Sequence, residues 1–210
     1  CFSNPGTSEM HFVRALDTNH DMRSILCLFE GGATGAADGY YRMKRSPAST
    51  LLHLGPGLAN GLANLHNAKK AHSGIVNIVG EHAIDHIKLN APLTSDIEGI
   101  ARPVSHWVKT SLSSKDIARD GAEAIAAAKV APGQIATLIL PGDTAWNEGK
   151  NYDEENITNN LNQVSNQKIE TAAKQLRDAK KPLILVGGSA LEDDNFINIA
   201  KLSLIHISEP

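Results

Sequence analysis

The chain has 210 residues, enough for one complete hydrophobic core and the beginning of a second. Hydrophobic residues make up 41% and charged residues 20%, the balance of an ordinary folded globular protein rather than a disordered or fibrous one. The net charge is −3 with both signs mixed along the chain, which argues against a nucleic-acid or membrane partner, and no apolar stretch approaches the ~20 residues of a membrane span.

Asn4-Pro5-Gly6-Thr7 comes first, with Thr7 the expected N-cap of a helix carrying Met10 and Val13 on successive turns. An apolar run, SILCLF at 24–29, then reads as a buried strand. It contains Cys27; with only Cys1 besides, a disulfide scaffold is not expected, and a reducing compartment, the cytoplasm, fits better. Glu30 ends the run and opens a small-residue helix expected over 31–43. Further strands are expected at 49–54, 74–80, 103–108 and 135–142, with helices over 58–71 and 115–130 between them. Ser95-Asp96-Ile97-Glu98 offers a capping box for a short helix that must end before Pro103.

Several of these strands read as continuously apolar, as parallel strands covered on both faces do. The alternation therefore predicts an α/β fold, a doubly wound, mainly parallel sheet with helices on both faces. That domain is expected over 1–145. A polar, Asn-rich linker follows at 146–166, and residues 167–201 read as the start of a second α/β domain, with a strand and a glycine turn in KKPLILVGGSAL. Both ends read as cut. Residues 202–210, LSLIHISEP, resemble the translation of a sequencing adapter and are expected to be a non-native tail.

In open parallel sheets, ligands bind outside the carboxyl ends of the strands. Four segments place unusual residues there: Asn4 to Thr7, Phe29 to Gly32, His53 to Gly57, and Gly80 to His82. Glu30 follows five apolar residues, so burial would raise its pKa, while a helix N-terminus would lower it. Such a carboxyl could exchange a proton with a ring nitrogen; equally, it could only satisfy free N–H groups at the helix start. The glycines after it cost helix stability, which suggests close backbone approach to a flat ligand, to another helix or to the sheet. GPGLANG (55–61) reads as a tight turn feeding a helix N-terminus. His53 is either a hydrogen-bonded core residue or a catalyst. The other histidines show no metal-ligand spacing, and no complete dinucleotide fingerprint, nucleophile elbow or phosphate loop occurs.

Taken together and in order, NPGT, FEGGATGAADGYYRM, LLHLGPGLANGLANLHNAKKAHSGIVNIVGEH, IARPVSHWV and ATLILPGD resemble the pyrimidine-binding domain of thiamine-diphosphate enzymes. The nearest branch is that of acetolactate synthase large subunits and benzoylformate decarboxylase-like proteins. The resemblance implies that Glu30 hydrogen-bonds the pyrimidine nitrogen of thiamine diphosphate and so promotes loss of the thiazolium C2 proton. Pro56, Gly57 and Asn60 match the loop beside the pyrimidine, Thr7 a substrate-facing position, and His53 the proton-transfer histidine of the benzoylformate decarboxylase-like branch. It further implies a small 2-oxo acid substrate that loses CO2, the remainder being protonated or joined to a second carbonyl compound, hence lyase or transferase chemistry. Mg²⁺ and the diphosphate would be held by a C-terminal domain outside this chain, the active unit would be a homodimer or homotetramer, and FAD is left undecided. Alone, the 210-residue chain is expected to be inactive.

The chain departs from acetolactate synthase in having Pro-Gly-Thr for Pro-Gly-Gly, His53-Leu54 for Thr-Ser, and residues 94–99 in place of a Phe-Gln-Glu loop. A benzoylformate- or phosphonopyruvate-type decarboxylase therefore stays open, as does a non-catalytic nucleotide-binding module on the same sheet.

Overall fold

The computed structural model describes residues 1–152, 164–191 and 193–207. The chain divides into two compact units, Cys1–Asn159 and Asn160–Pro210. The first unit is built on a six-stranded sheet of order β2-β1-β3-β4-β6-β5, every neighbouring pair parallel. Its strands are β1 (Phe2–Asn4), β2 (Ile25–Leu26), β3 (Ala48–Leu52), β4 (Ile75–Glu81), β5 (Trp107–Thr110) and β6 (Ile135–Pro141). Between them run α1 (Met10–Thr18), α2 (Glu30–Lys44), α3 (Leu54–Lys70), the short α4 (Ile84–Ile87) and α5 (Ile97–Ala101), and α6 (Ile117–Lys129); α7 (Gly142–Trp146) follows β6.

The sheet separates two apolar layers, as a doubly wound fold requires. Leu52, Ile75, Val79, Ile135 and Ile139 pack with Ala33 and Ala37 of α2 and with Leu58 and Leu65 of α3. Successive strand residues point to opposite faces, so Leu51, Val76, Ile78, Ala136 and Leu138 meet Phe12 and Val13 of α1 and Ala124 and Ala128 of α6. Inside the sheet, Thr50, Asn77 and Thr137 stand in register across β3, β4 and β6. They form a buried polar row: Thr50 Oγ1 donates to Asn77 Oδ1 at 2.8 Å, and Asn77 Nδ2 donates to Thr137 Oγ1 at 3.2 Å. A one-residue slip would break that row, so it pins the register of the three central strands.

Several elements differ from expectation, each for a physical reason. The 24–29 run is not a buried strand. Only Ile25 and Leu26 pair, at the sheet edge, and Leu26, Leu28 and Phe29 are 70, 94 and 56% exposed. Thr7 is exposed and does not cap α1; a 3₁₀ turn over Thr7–Glu9 begins one residue earlier, with Gly6 as its N-cap. GPG is no turn, because α3 starts at Leu54 and Pro56 lies in its first turn, where a missing N–H costs nothing. Leu54 is buried and left-handed, with φ +52°, a costly conformation for a branched residue and one held by the packing around it. For α5 the cap is Asp96, whose side chain accepts from the Gly99 N–H at 2.8 Å, and the helix ends before Pro103.

In the second unit, α8 (Asn166–Asp178) is capped by Ser165, and a 3₁₀ turn at Gly188–Leu191 precedes α9 (Asp193–Ile207). Residues 182–187 are not a strand. Leu183 and Leu185 are 93 and 98% exposed and have no ladder partner among the described residues. Residues 153–163 of the expected linker and 208–210 of the expected tail lie outside the described residues. No helix among the described residues is long and apolar enough to cross a membrane.

Candidate functional site

Strand order fixes where a site can form. From β1 the chain passes through α1 to β2 on one side, whereas from β3 it passes through α3 to β4 on the other. Because α1 and α3 pack on opposite faces, the chain leaves the carboxyl ends of β1 and β3 in opposite directions and opens a crevice between them. All four segments singled out in the sequence lie at or just after the carboxyl ends of strands.

The first cluster lies at that crevice. Glu9, buried at 3% exposure, closes the turn after β1, and its Oε2 accepts the Gly6 N–H at 2.6 Å. The same oxygen lies 2.8 Å from Nδ1 of His53, the N-cap of α3, whose side chain is 25% exposed. Sequence reasoning assigns no role to Glu9. The signal that finds it is local: an acidic residue three positions after Gly6, the spacing at which a carboxylate reaches back to a helix-start N–H.

The second cluster is built on α2 and α3. Glu30 is the first residue of α2, half-buried, and its Oε2 accepts from Asn60 Nδ2 of α3 at 3.1 Å. Oε1 has no hydrogen-bond partner among the described residues and faces Gly57: a Cβ added there would lie 3.5 Å from it and 3.5 Å from His53 Cβ. Gly57 therefore joins the two clusters. Pro56 is exposed beside it, and Thr7, also exposed, accepts the Met10 N–H through its backbone carbonyl, while its hydroxyl has no hydrogen bond among the described residues.

The small residues of α2 bring the helices together. Asn64 Nδ2 donates to Gly31 O at 2.7 Å, Thr34 Oγ1 donates to Gly61 O at 3.1 Å, and a Cβ at Gly61 would lie 2.8 Å from Thr34 Cγ2. Of the partners open for the glycines after Glu30, a neighbouring helix is observed at Gly35, where a Cβ would lie 3.0 Å from Asn64 Nδ2 of α3, whereas a Cβ at Gly31 would meet the Phe29 ring. Gly32 and Gly39 instead meet nothing within 4 Å.

At the end of β4, burial pushes the Glu81 carboxyl up, against the opposing pull of the His82 N–H at 2.7 Å and of the His82 ring. Among the described residues no group of three His, Cys, Asp or Glu side chains could hold a metal ion.

Residues 1–102 match the family described as thiamine pyrophosphate enzyme, N-terminal TPP binding domain. Over 149 residues the chain is 58% identical to a Mycobacterium tuberculosis protein provisionally named acetolactate synthase large subunit IlvX, a span covering 71% of this chain and 29% of that one. It is 33% identical over 143 residues to the benzoylformate decarboxylase of Pseudomonas aeruginosa, covering 68% of this chain and 27% of the relative. Thus the chain spans less than a third of the length of either relative. The fold matches that of the Rhodococcus jostii RHA1 thiamine diphosphate-dependent 4-hydroxybenzoylformate decarboxylase with a TM-score of 0.84 at 23% identity, over 96% of this chain and 39% of the other. The matched sequence and the parallel sheet agree, and through residues 1–102 the chain belongs to the family of the N-terminal, cofactor-binding domain of thiamine-diphosphate enzymes.

Proposed function

We propose that this chain supplies the pyrimidine-binding half-site of a thiamine-diphosphate-dependent enzyme that decarboxylates a 2-oxo acid, in the manner of an acetolactate synthase. One observation carries the reading: Glu30 starts α2 with one carboxyl oxygen fixed by Asn60 and the other, without a partner among the described residues, beside the bare backbone of Gly57. A carboxyl oxygen with no partner among the described residues, next to the side-chain-free backbone of Gly57, fits a heterocyclic nitrogen that must share a proton. When bound, thiamine diphosphate supplies the reactive carbon and the electron sink for loss of CO2. The chain's own part is narrower. Glu30 holds the proton at Oε1, Asn60 sets the plane of the carboxyl, Gly57 leaves room, and Pro56 stiffens the first turn of α3.

Exposed Leu26, Leu28 and Phe29 lie immediately before Glu30, and Gly32 and Gly39 leave one face of α2 open. That surface supports a second subunit over the site, which would bring the diphosphate- and Mg²⁺-binding domain. Residues 1–145 would form the cofactor domain and 146–166 its linker. Thr7, at the mouth of the turn after β1, would face substrate.

A second reading, a benzoylformate-type decarboxylase that protonates rather than ligates, is favoured by the hydrogen bond that holds His53 at the crevice. In either case Glu30→Gln in the full-length enzyme keeps the fold and lowers turnover by about 100-fold or more, the range for loss of one proton-transfer group. Unchanged turnover would take Glu30 out of the reaction and leave it a structural helix-start carboxylate.

A further inference from the structure

His53 is gripped from two sides. A Cβ at Gly6 would lie 2.3 Å from His53 Nδ1, so the ring rests directly on the turn backbone. Its Nδ1 meets Glu9 Oε2 at 2.8 Å, and that oxygen already accepts the Gly6 N–H at 2.6 Å. Space for the Glu9 carboxyl exists only because position 80 is glycine: a Cβ there would lie 1.6 Å from Glu9 Oε1. The other oxygen, Oε1, is buried without a hydrogen-bond partner among the described residues, so the carboxyl is committed to its two contacts through Oε2. Burying a carboxyl group this fully is costly and is not needed to close a surface turn.

On the reading that this is a thiamine-diphosphate enzyme, we propose that Glu9 is the positioning residue for His53. It fixes the ring plane and the Nδ1–H tautomer, leaving Nε2 as the one ring nitrogen able to exchange a proton with a ligand in the crevice. An oxygen that accepts from Gly6 N–H accepts from Nδ1–H as well, so the ring proton resides on Nδ1 and Nε2 carries the lone pair. Nε2 has no hydrogen-bond partner among the described residues, and the side chain is partly open. The proton count closes on one atom. A proton taken up at Nε2 leaves again from Nε2, Nδ1–H stays with Glu9 throughout, and the transient imidazolium forms an ion pair with the carboxylate beneath it.

The test pairs two measurements on Glu9→Gln. In this chain, ¹⁵N NMR of His53 reads the tautomer without cofactor: the wild type shows an amine-like Nδ1 and an imine-like Nε2, and the variant shifts toward the reverse. In the full-length enzyme the variant lowers kcat about 10- to 100-fold with KM changed less than about threefold, the loss typical of removing an orienting partner. A cycle with His53→Ala separates positioning from structure. If Glu9 acts through His53, Glu9→Gln costs no further kcat in the His53→Ala background. Additive losses, or an unchanged tautomer, overturn the proposal. Should Glu9→Gln fail to fold, Gly80→Ala, whose Cβ displaces the Glu9 carboxyl, must give the same tautomer shift or the proposal falls. Glu30→Gln runs in parallel: if it leaves turnover intact, the cofactor reading fails, while the tautomer result stands or falls independently.

Discussion

Asn60 reaches Glu30 with one amide hydrogen bond of 3.1 Å, and its loss can be read apart from loss of the carboxyl itself. Asn60→Ala keeps Glu30 but frees its side chain to rotate. One hydrogen bond to a charged group is worth about 1.5–3 kcal/mol, so turnover of the full-length enzyme should fall about 10- to 150-fold, with unfolding temperature nearly unchanged because Asn60 is exposed. Steady-state kinetics with a melting curve on the same preparation check both halves. Glu30, Gly57 and Asn60 were readable in the sequence because each interrupts the pattern of its own segment: a carboxyl closing an apolar run, glycine and asparagine opening a helix. Glu9 was not. Its spacing from Gly6 is a local signal for a turn, but the contacts that give it a role, with His53 and against Gly80, join the ends of β1, β3 and β4, which only the folded sheet brings together.

The strands show a similar division. Runs destined for β3, β4 and β6 were legible because continuous apolar sequence demands cover on both faces, and they received it. At 24–29 and 182–187 the same kind of run is largely exposed, since an apolar run records strand propensity and says nothing about whether a partner strand lies beside it. The β5 edge depends on a side chain. His106 N donates to Ile135 O at 2.8 Å while His106 Nδ1 accepts the Ile135 N–H at 3.0 Å, so the residue before β5 clasps the first residue of β6 through both of its backbone polar groups. Acceptance needs a lone pair on Nδ1. Burial, with the nearby charges of Lys69 and His72, pushes the His106 pKa down, so the fold holds the neutral ring. Its contribution is therefore fully present above the unfolded value of about 6.5 and is lost as pH falls toward the lower folded value. Urea midpoints measured at several pH values should decline below that point, and His106→Asn should flatten the decline; parallel curves for both proteins would rule the clasp out.

For the first unit, topology does what no single element could: the reversal of direction between β1 and β3 selects the crevice, and the helices on opposite faces hold it open. On the proposed reading, a second subunit would cover the exposed Leu26, Leu28 and Phe29. Leu28→Asp, at a position 94% exposed, should leave the chain's own stability within about 0.5 kcal/mol, yet it should shift the full-length enzyme toward monomer in sedimentation velocity and remove activity with it. An unaltered oligomer with full turnover would remove this patch from the interface. All of the proposed chemistry turns on the proton held by Glu30, and one rate reports it without waiting for any particular substrate: deuterium exchange at C2 of thiamine diphosphate bound to the full-length enzyme. Glu30→Gln should slow that exchange by about 100-fold or more while the cofactor stays bound. Equal rates in the two proteins would take Glu30 out of the reaction and the proposed function with it.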